Sequence, residues 1–394
     1  MMPNRPLRIL QIVATPVGAD WFYQQVTGLA RLGNTVQVVL PGDGPLADRL
    51  RDAGVAVEII PFKGKEIRHQ PRVAAAELRL ARFIRSFRPD VIHAHLFKAI
   101  LSCRLAASFY PQALKVATLP GSVHLHSRLF RLLDQWTLSR DDLIIGSCQA
   151  IADQYRAMGA RSVAVSYYGF DVHRLDPLTS GAAFRREFGL ADDIPTVGMI
   201  AHMYITRIPA FQAIGVKGHE VFLDSAALLL RRIPGIQIFV IGDEPLTSGA
   251  YRRRLEARSA ELGINGNVHF TGHRTDVASV LAGLDVVVAP SMSEAACYVM
   301  AEALLMQRSV VASNVGGLPD TVQHGVSGLL VPPGDPAALA DAIAELIADP
   351  SRREEMGRRG REHCLHRFDG NATAVEVQAL YLEALDRKRT KRAA

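Results

Sequence analysis

The sequence predicts an α/β protein built from two Rossmann-like, doubly wound domains. Its 394 residues exceed the size of a single domain of about 150 residues. Short runs rich in Val and Ile alternate with longer helical patterns, as in β-α units that feed a parallel sheet buried on both faces. This alternation is interrupted from Gly169 to Ile194, where turn and polar residues prevail, and it resumes at Pro195, which indicates a domain boundary. We therefore expect two such domains facing one another across a cleft, with ligands at the carboxyl ends of the strands.

Seven strands are predicted in the first half of the chain, near residues 8–14, 35–40, 55–61, 90–94, 114–118, 142–146 and 162–167. Helical patterns fill the gaps between them, and the clearest runs from residue 72 to residue 87. Its apolar Val73, Leu80 and Ile84 lie near one stripe, and Pro89 follows the last turn. This alternation predicts one parallel sheet.

The second half repeats the pattern, with strands predicted near residues 196–201, 236–241, 268–271, 285–289 and 309–312. A final helical stretch, residues 371–389, follows another helix that ends near His366, and its apolar residues need a partner surface. The sequence thus predicts domains at residues 1–175 and 190–368, with residues 371–394 as a last helix and basic tail.

Charge divides the chain into two parts of opposite sign. Residues 1–175 carry a net charge of +9 and residues 176–386 a net charge of −8, and five more basic residues lie between Arg387 and Arg392. The basic half suits an anionic surface or substrate, and a solvated basic face without a partner explains it equally well. We expect no nucleic acid partner.

The cysteines and the apolar runs indicate where the protein works. The four cysteines, which stand far apart without the spacing of a zinc site or a disulfide framework, are Cys103, Cys148, Cys297 and Cys364. No run of about 18–20 apolar residues could span a bilayer, and the N-terminal run 9–13 is too short for a signal peptide. We expect a cytoplasmic protein, soluble or at most peripheral at the inner face of the membrane.

The strongest chemical signal is a pair of glutamates, Glu294 and Glu302. They lie in a Ser-containing turn after the strand 285–289 and in the helix that is expected to begin near Ala296. A strand, a turn and a helix N-terminus aim backbone N–H groups at a ligand, as anion sites require. Two carboxylates so placed could accept hydrogen bonds from hydroxyls at two points of an extended sugar ligand. The helix around Glu302 is apolar nearly all round, which argues against a solvated position.

These residues resemble a known family, the retaining GT-B glycosyltransferases of family 4, also called glycosyl transferases group 1. The likeness begins with the E-x7-E spacing of Glu294 and Glu302 and extends from Asp285 to Pro336 without a gap. Weaker likeness covers most of the chain, at Tyr168-Gly169-Phe-Asp171, Val197-Gly198, Lys217-Gly218-His219, Ile241-Gly242-Asp243 and Phe270-Thr-Gly272-His-Arg274.

The resemblance implies a GT-B fold in which the last helix crosses back to a first, acceptor-side domain while the second domain binds a nucleotide sugar. Glu302 would bind the ribose hydroxyls of the donor, Glu294 its hexose and Lys217 its diphosphate. The implied donor-binding set is Glu302, Gly198, Gly242, Gly272, Arg274, Ala295, Ala296, Cys297 and Tyr298. Transfer would need neither a metal nor a cofactor besides the donor substrate, because basic side chains and helix ends would meet the phosphates.

Two loops of the first half depart from the family pattern. The usual Gly-Gly turn after the first strand is reduced to Gly18, and Pro120 stands where a histidine usually precedes Gly121. We expect both glycines on the acceptor side. His124 is the catalytic candidate for the missing histidine, with His126 as the alternative, and ordinary loop histidines are the competing interpretation.

Three further candidates come from other strand ends. The arginine expected shortly after Gly198 is absent, so Arg207 is the candidate phosphate ligand in its place. His93 and His95 end the fourth strand, without a Cys or an acid at ligand spacing nearby. We interpret this pair as acceptor-side cleft lining and not as a zinc site, and ordinary strand-end histidines fit nearly as well.

The predicted function is transfer of a hexose from a nucleoside diphosphate sugar to a glycan or lipid-linked acceptor, in cell-surface polysaccharide or glycolipid synthesis. Stabilisation of the departing diphosphate would dominate catalysis, and the catalytic candidates are Glu294, Lys217, Arg207 and His124. One alternative is a GT-B-fold nucleotide-sugar epimerase. Another is a non-catalytic sugar-nucleotide-binding partner subunit, which the missing His-Gly pair favours. A dinucleotide oxidoreductase is disfavoured, because no G-x-G-x-x-G follows the first strand.

A basic loop is the expected point of contact with an anionic membrane. Just beyond the third strand, residues 62–72 hold Lys63, Lys65, Arg68 and Arg72 with one acid. Such a loop can hold a phospholipid surface or a lipid diphosphate, and a solvated basic loop is an equally good interpretation. The oligomeric state stays open.

Overall fold

The computed structural model describes residues 5–62, 70–121, 123–203, 215–244 and 249–393. The chain forms two compact units, Met1–Asp171 with Arg367–Ala394, and Val172–His366. Residues 176–189, which the sequence left between its two predicted domains, belong to the second unit, and so do residues 172–175, which it placed in the first domain. There the helix Ala182–Glu187 packs through Phe184, whose ring centroid lies 4.9 Å from that of Phe239.

All seven strands predicted for the first unit are confirmed. They are β1 (Arg8–Val13), β2 (Thr35–Leu40), β3 (Ala56–Ile59), β4 (Val91–His95), β5 (Leu114–Leu119), β6 (Leu143–Gly146) and β7 (Val163–Val165). They form one parallel sheet in the order β3-β2-β1-β4-β5-β6-β7. Helices cover both faces of such a sheet, which is why β1 buries five of its six residues.

The first unit places a helix in each of the six crossings between its strands. In the described residues these are α1 (Asp20–Arg31), α2 (Pro45–Asp52), α3 (Gln70–Phe87), α4 (Phe97–Ala106), α5 (Arg128–Thr137) and α6 (Gln149–Ala157). The helix predicted at residues 72–87 is α3. It ends where Arg88 takes a positive φ of 52° directly before Pro89, since the residue before a proline avoids the α conformation.

The second unit is also doubly wound. Its strands are β8 (Thr196–Ile200), β9 (Gln237–Ile241), β10 (Val268–Gly272), β11 (Val286–Ala289), β12 (Ser309–Ser313) and β13 (Gly328–Val331), all parallel in the order β10-β9-β8-β11-β12-β13. Its helices, in the described residues, are α7 (Ala182–Glu187), α8 (His219–Arg232), α9 (Ala250–Glu261), α10 (Val277–Gly283), α11 (Tyr298–Leu305), α12 (Leu318–Thr321), α13 (Pro336–Ala348) and α14 (Pro350–Arg367).

The edge strand β13 was not predicted from the sequence. The strand has four residues and begins with a glycine, so its apolar run is too short to separate from a turn. A side chain at Gly328 would place its Cβ 2.6 Å from Val310 Cγ2, so a glycine is needed where β13 approaches β12.

The last helix, α15 (Gly370–Ala393), returns to the first unit, as the GT-B likeness implied. It packs on α1 at Gly28, where a Cβ would lie 2.6 Å from the Cβ of Ala374. Its Tyr381 is fully buried, with the hydroxyl 2.6 Å from His93 Nδ1 and 3.1 Å from Gln11 Nε2. The apolar face of this helix therefore completes the core of the first unit. None of the described helices is long and apolar enough to cross a membrane.

Candidate functional site

The second unit contains a pocket of about 350 Å³ at the carboxyl edge of its sheet. Residues after β8, β9 and β11 line it, among them His202, Gly242 and Ser291. From β8 the chain continues to β9, toward one edge of the sheet, and from β11 it continues to β12, toward the other edge. The pocket therefore lies at the topological switch point of a parallel sheet. This is where open α/β sheets bind their ligands.

Lys217 and Glu294 meet at the wall of this pocket. The Lys217 Nζ lies 2.5 Å from Glu294 Oε2, and the side chains are 23% and 10% exposed. The Ser291 hydroxyl donates to the same carboxylate oxygen over 3.4 Å. The structure thus joins two predicted site residues that are 77 positions apart.

Close backbone contacts hold the loops that carry this pair. At Gly316, φ is +58° and a Cβ would lie 1.7 Å from the carbonyl oxygen of Glu294, which also accepts a 3.2 Å hydrogen bond from the Gly317 amide. At Gly218, φ is +74° and a Cβ would lie 1.9 Å from the carbonyl oxygen of Pro290. Only glycine fits these two positions, so the glycines fix the backbone that presents Lys217 and Glu294.

Glu302 lies one turn into α11, which begins at Tyr298, two residues after the expected start. Its carboxylate is 12% exposed, lines the pocket and accepts a hydrogen bond from Arg174. The apolar surroundings that the sequence predicted are present, because α11 buries Met300, Leu304 and Leu305 among others. Arg174 was missed, because nothing in its local pattern distinguishes it from an exposed loop arginine.

The N-terminus of α11 borders the pocket, since Ala296, Cys297 and Tyr298 are lining residues. The amide of Ala295 instead donates to Glu294 Oε1 over 3.3 Å. Burial raises the pKa of the Cys297 thiol to about 12, so this thiol is protonated at neutral pH and is not a nucleophile. The N-terminal edge of the helix therefore offers backbone dipoles, not a covalent group.

Arg274 lines the pocket, but its charge is already matched. Its guanidinium donates to both carboxylate oxygens of Glu187, over 2.7 and 2.9 Å, and to both of Asp276, over 2.8 and 2.7 Å. These contacts raise the pKa of Arg274 and lower that of Asp276. A phosphate would meet a guanidinium that two carboxylates neutralise, so Arg274 is better suited to forming the pocket wall.

The remaining glycines of the predicted donor set differ in position. Gly242 lines the pocket with a φ of +138°. Gly272 ends β10 with a φ of +76°, next to the lining residue His273. The expectation that Gly198 contacts the donor is wrong, because this residue is buried inside β8, where a Cβ would lie 2.3 Å from Leu284 Cδ1. Its small size serves sheet packing.

The interpretation of His93 and His95 as acceptor-side cleft lining is also wrong. Both are fully buried in the first unit, where His93 Nε2 lies 2.6 Å from Thr118 Oγ1 and His95 Nε2 lies 2.7 Å from Gln11 Oε1. Burial lowers the pKa of both rings, that of His95 to about 3, so both are neutral at pH 7. Within the described residues, no group of three or more His, Cys, Asp or Glu could hold a metal ion.

His124 is fixed within the first unit. Its side chain is 11% exposed, and its Nε2 lies 3.0 Å from Asp134 Oδ2 and 3.1 Å from the Tyr155 hydroxyl. Its catalytic role stays a prediction. Gly18, with a φ of +64°, follows β1, and the half-buried Gly121 follows β5.

Three sets of predicted residues fall on parts of the chain that are not described. Arg207 lies outside the described residues. So do Lys63, Lys65 and Arg68 of the basic loop, and the side chain of Arg72 is not described either. Their roles stay predictions.

Two doubly wound units, with a pocket at the switch point of the second, fit the GT-B fold. Residues 212–363 match the family glycosyl transferases group 1, and residues 20–169 match the glycosyl transferase 4-like domain. The chain belongs to the glycosyl transferases group 1.

Named relatives support this assignment. The chain is 29% identical to the D-inositol 3-phosphate glycosyltransferase of Corynebacterium urealyticum, over 90% of this chain and 87% of the relative. The enzyme of the same name from Corynebacterium jeikeium is 31% identical over 64% of this chain and 60% of its own length. The fold is similar to that of HepE from Anabaena, crystallised with UDP, with a TM-score of 0.81, 22% identity and coverage of 96% of this chain and 100% of HepE.

Proposed function

We propose that this glycosyltransferase moves a hexose from a nucleoside diphosphate sugar to a glycan or lipid-linked acceptor, with retention of the anomeric configuration. The observation that carries the proposal is the pocket of the second unit, which gathers Lys217, Glu294 and Glu302 beside a helix N-terminus. One basic group, backbone dipoles and two carboxylates suit a ligand with a diphosphate between two hydroxyl-bearing rings. The UDP in the HepE crystals supports the same ligand class.

Each residue then has a defined task. The carboxylate of Glu302 accepts hydrogen bonds from the ribose hydroxyls, and that of Glu294 accepts them from the hexose. Lys217 and the N-terminus of α11 meet the diphosphate, on which negative charge gathers as the bond to the sugar breaks. These fixed groups stabilise the leaving group without a metal ion, because the ammonium of Lys217 supplies the positive charge.

Retention rests on the likeness in the E-x7-E region. It is tested by the coupling constant of the anomeric proton in the product, measured by NMR with a donor of known configuration. A product of the opposite configuration overturns this part of the proposal and leaves the rest intact.

The acceptor would be a component of a cell-surface polysaccharide or a glycolipid. A lipid-linked acceptor places the enzyme at the cytoplasmic face of a membrane, in peripheral contact with anionic lipid. The net charge of +9 on residues 1–175 supports an anionic acceptor or surface. The inositol phosphate in the names of the relatives also carries an anionic group.

The proposal is tested with a panel of nucleotide sugars. A true donor raises the melting temperature, because it binds only the folded state, and is hydrolysed slowly or transferred when an acceptor is supplied. Binding without turnover on any acceptor would favour the alternative of a non-catalytic partner subunit. The presence of Pro120 where the family usually has a histidine also favours that alternative. Conversion of the donor into its epimer would favour an epimerase.

A further inference from the structure

Helix α5 of the first unit exposes most of its apolar side chains and buries two polar ones. The side chains of Leu129, Leu132 and Trp136 are 59%, 63% and 70% exposed. Asp134 and Thr137, from the same helix, are almost completely buried. Helices on a protein surface usually present the opposite arrangement, with the apolar stripe toward the core.

Internal hydrogen bonds fix this orientation. Arg104 of α4 donates from Nη1 to Asp134 Oδ1 over 2.6 Å and to Thr137 Oγ1 over 2.9 Å. The other carboxylate oxygen of Asp134 is bonded to Tyr155 and lies 3.0 Å from His124 Nε2. Turning the helix over would leave a buried charge unpaired, at a large energetic cost. The outward apolar face is therefore a fixed part of the fold.

The exposed residues form one continuous stripe. Leu129, Leu132 and Trp136, with the partly buried Leu133, follow the i, i+3, i+4, i+7 spacing of a single helix face, and Phe130, 37% exposed, lies beside it. Single exposed apolar residues are common, but a contiguous patch marks a surface that contacts something else.

Charge around the stripe identifies the partner. The exposed Arg128 and Arg131 lie on α5 itself, and the guanidinium carbon of Arg140 lies 5.1 Å from the centroid of the Trp136 ring. The sequence contains no acidic residue between Asp90 and Asp134. Leucine, tryptophan and arginine on one helix face suit the boundary between headgroups and acyl chains of an anionic bilayer. A second copy would place Arg128 and Arg131 of both copies in one interface to which the exposed face of α5 brings no acidic side chain, which disfavours a dimer.

We propose that α5 docks the enzyme on an anionic phospholipid membrane, with its apolar stripe in the acyl boundary and its arginines against the headgroups. The inference rests on the proposed membrane contact and names the surface that makes it. It does not depend on the donor or on the undescribed basic loop.

The test is co-sedimentation of the full-length protein with vesicles of phosphatidylglycerol and phosphatidylcholine, against phosphatidylcholine alone. We expect binding to the anionic vesicles that weakens with salt, and at least about tenfold weaker binding after Leu129→Ser, Leu132→Ser and Trp136→Ser together. Leu178→Ser is the matched control, since this leucine is 88% exposed in the second unit. An unchanged melting temperature and an unchanged far-ultraviolet circular dichroism spectrum show that the triple variant is folded.

A second measurement reads the contact directly. The chain has two tryptophans, so Trp21→Phe leaves Trp136 as the reporter, and its emission should shift to the blue and be quenched by brominated lipid. In Trp136→Phe the remaining Trp21, with its ring centroid 4.2 Å from that of Tyr168, should not respond.

The outcomes separate the two proposals. No binding by the wild type at low salt overturns both the membrane contact and the role of α5. Wild-type binding that the triple variant retains, or a silent Trp136, overturns only the role of α5. Dissociation of a dimer by the triple variant, seen by sedimentation equilibrium, also overturns it and assigns the stripe to a second copy.

Discussion

Charged side chains are held in opposite ways in the two units. In the first, Arg104 bonds Asp134 and Asp141 at 2.6 Å each, and all three side chains are at most 5% exposed. In the second, Lys217 and Glu294 also pair closely, but both are partly exposed at the wall of a pocket. No ligand can reach the buried network of Arg104, Asp134 and Asp141, here called the closed network, so it serves only the fold. A ligand can reach Lys217 and Glu294, here called the open pair, and can replace one partner of the pair. Ion pairs of similar geometry therefore suit a structural role in the first unit and a binding role in the second, and the difference lies in their access to solvent.

The largest expected effect comes from breaking the closed network. Arg104→Met leaves two buried carboxylates without their cation and should lower the free energy of unfolding by about 3–5 kcal/mol. Arg5→Met is the control, because Arg5 is 66% exposed in its pair with Asp90 and should contribute less than about 1 kcal/mol. Urea unfolding measures both, and equal losses would contradict the distinction.

The open site should show the reverse behaviour, with a loss of binding and little loss of stability. Glu302→Ala removes a charge-assisted hydrogen bond to the donor, worth about 1.5–3 kcal/mol, and should weaken binding of the donor that the nucleotide-sugar panel identifies by about 10- to 150-fold. Calorimetric titration measures this, with Glu345→Ala as the control on an exposed glutamate of the same unit. Unchanged affinity in the Glu302 variant would refute the assignment of this residue.

Buried histidines predict how stability depends on pH. Burial lowers the pKa of His95 in the first unit and of His219 in the second to about 3. Between pH 6.5 and pH 3 both histidines are therefore neutral in the folded chain, whereas they are protonated in the unfolded chain, where their pKa is about 6.5. Stability should therefore fall as pH falls from about 6.5 toward 3, by about 2 kcal/mol per histidine at pH 5.

The variant His95→Gln checks this attribution. It should reduce the difference in unfolding free energy between pH 7 and pH 5, measured with urea, whereas His126→Gln should not, because His126 is exposed. Equal slopes in the two variants would show that His95 titrates normally in the folded protein.

The smallest expected effect concerns the metal. Because Lys217 and the N-terminus of α11 would meet the diphosphate, transfer should proceed unchanged in EDTA. The same assay with added Mg²⁺ is the control. Loss of transfer on chelation, restored by a divalent ion, would show that the open site needs more charge than Lys217 supplies.

Much of the fold was predictable from the sequence. Twelve predicted strands are present, because Val- and Ile-rich runs bounded by turn residues are local signals. The exception, β13, depends on a glycine that lets it approach β12. The sequence also predicted a site around Glu294, Glu302 and Lys217, and the structure brings all three to one pocket. Arg174 could not be found, because its contact with Glu302 joins segments 128 residues apart.

The sequence by itself determined the order of strands and helices, the E-x7-E spacing and the imbalance of charge between the halves of the chain. Only the tertiary structure decided which polar groups are buried. The ring of His93 is enclosed by Tyr381, 288 residues away, and the apolar stripe of α5 faces outward because Arg104 holds Asp134 inside. The periodicity of apolar residues can be recognised within a few turns of one helix or strand, whereas the burial of a side chain depends on which distant segments the topology brings together.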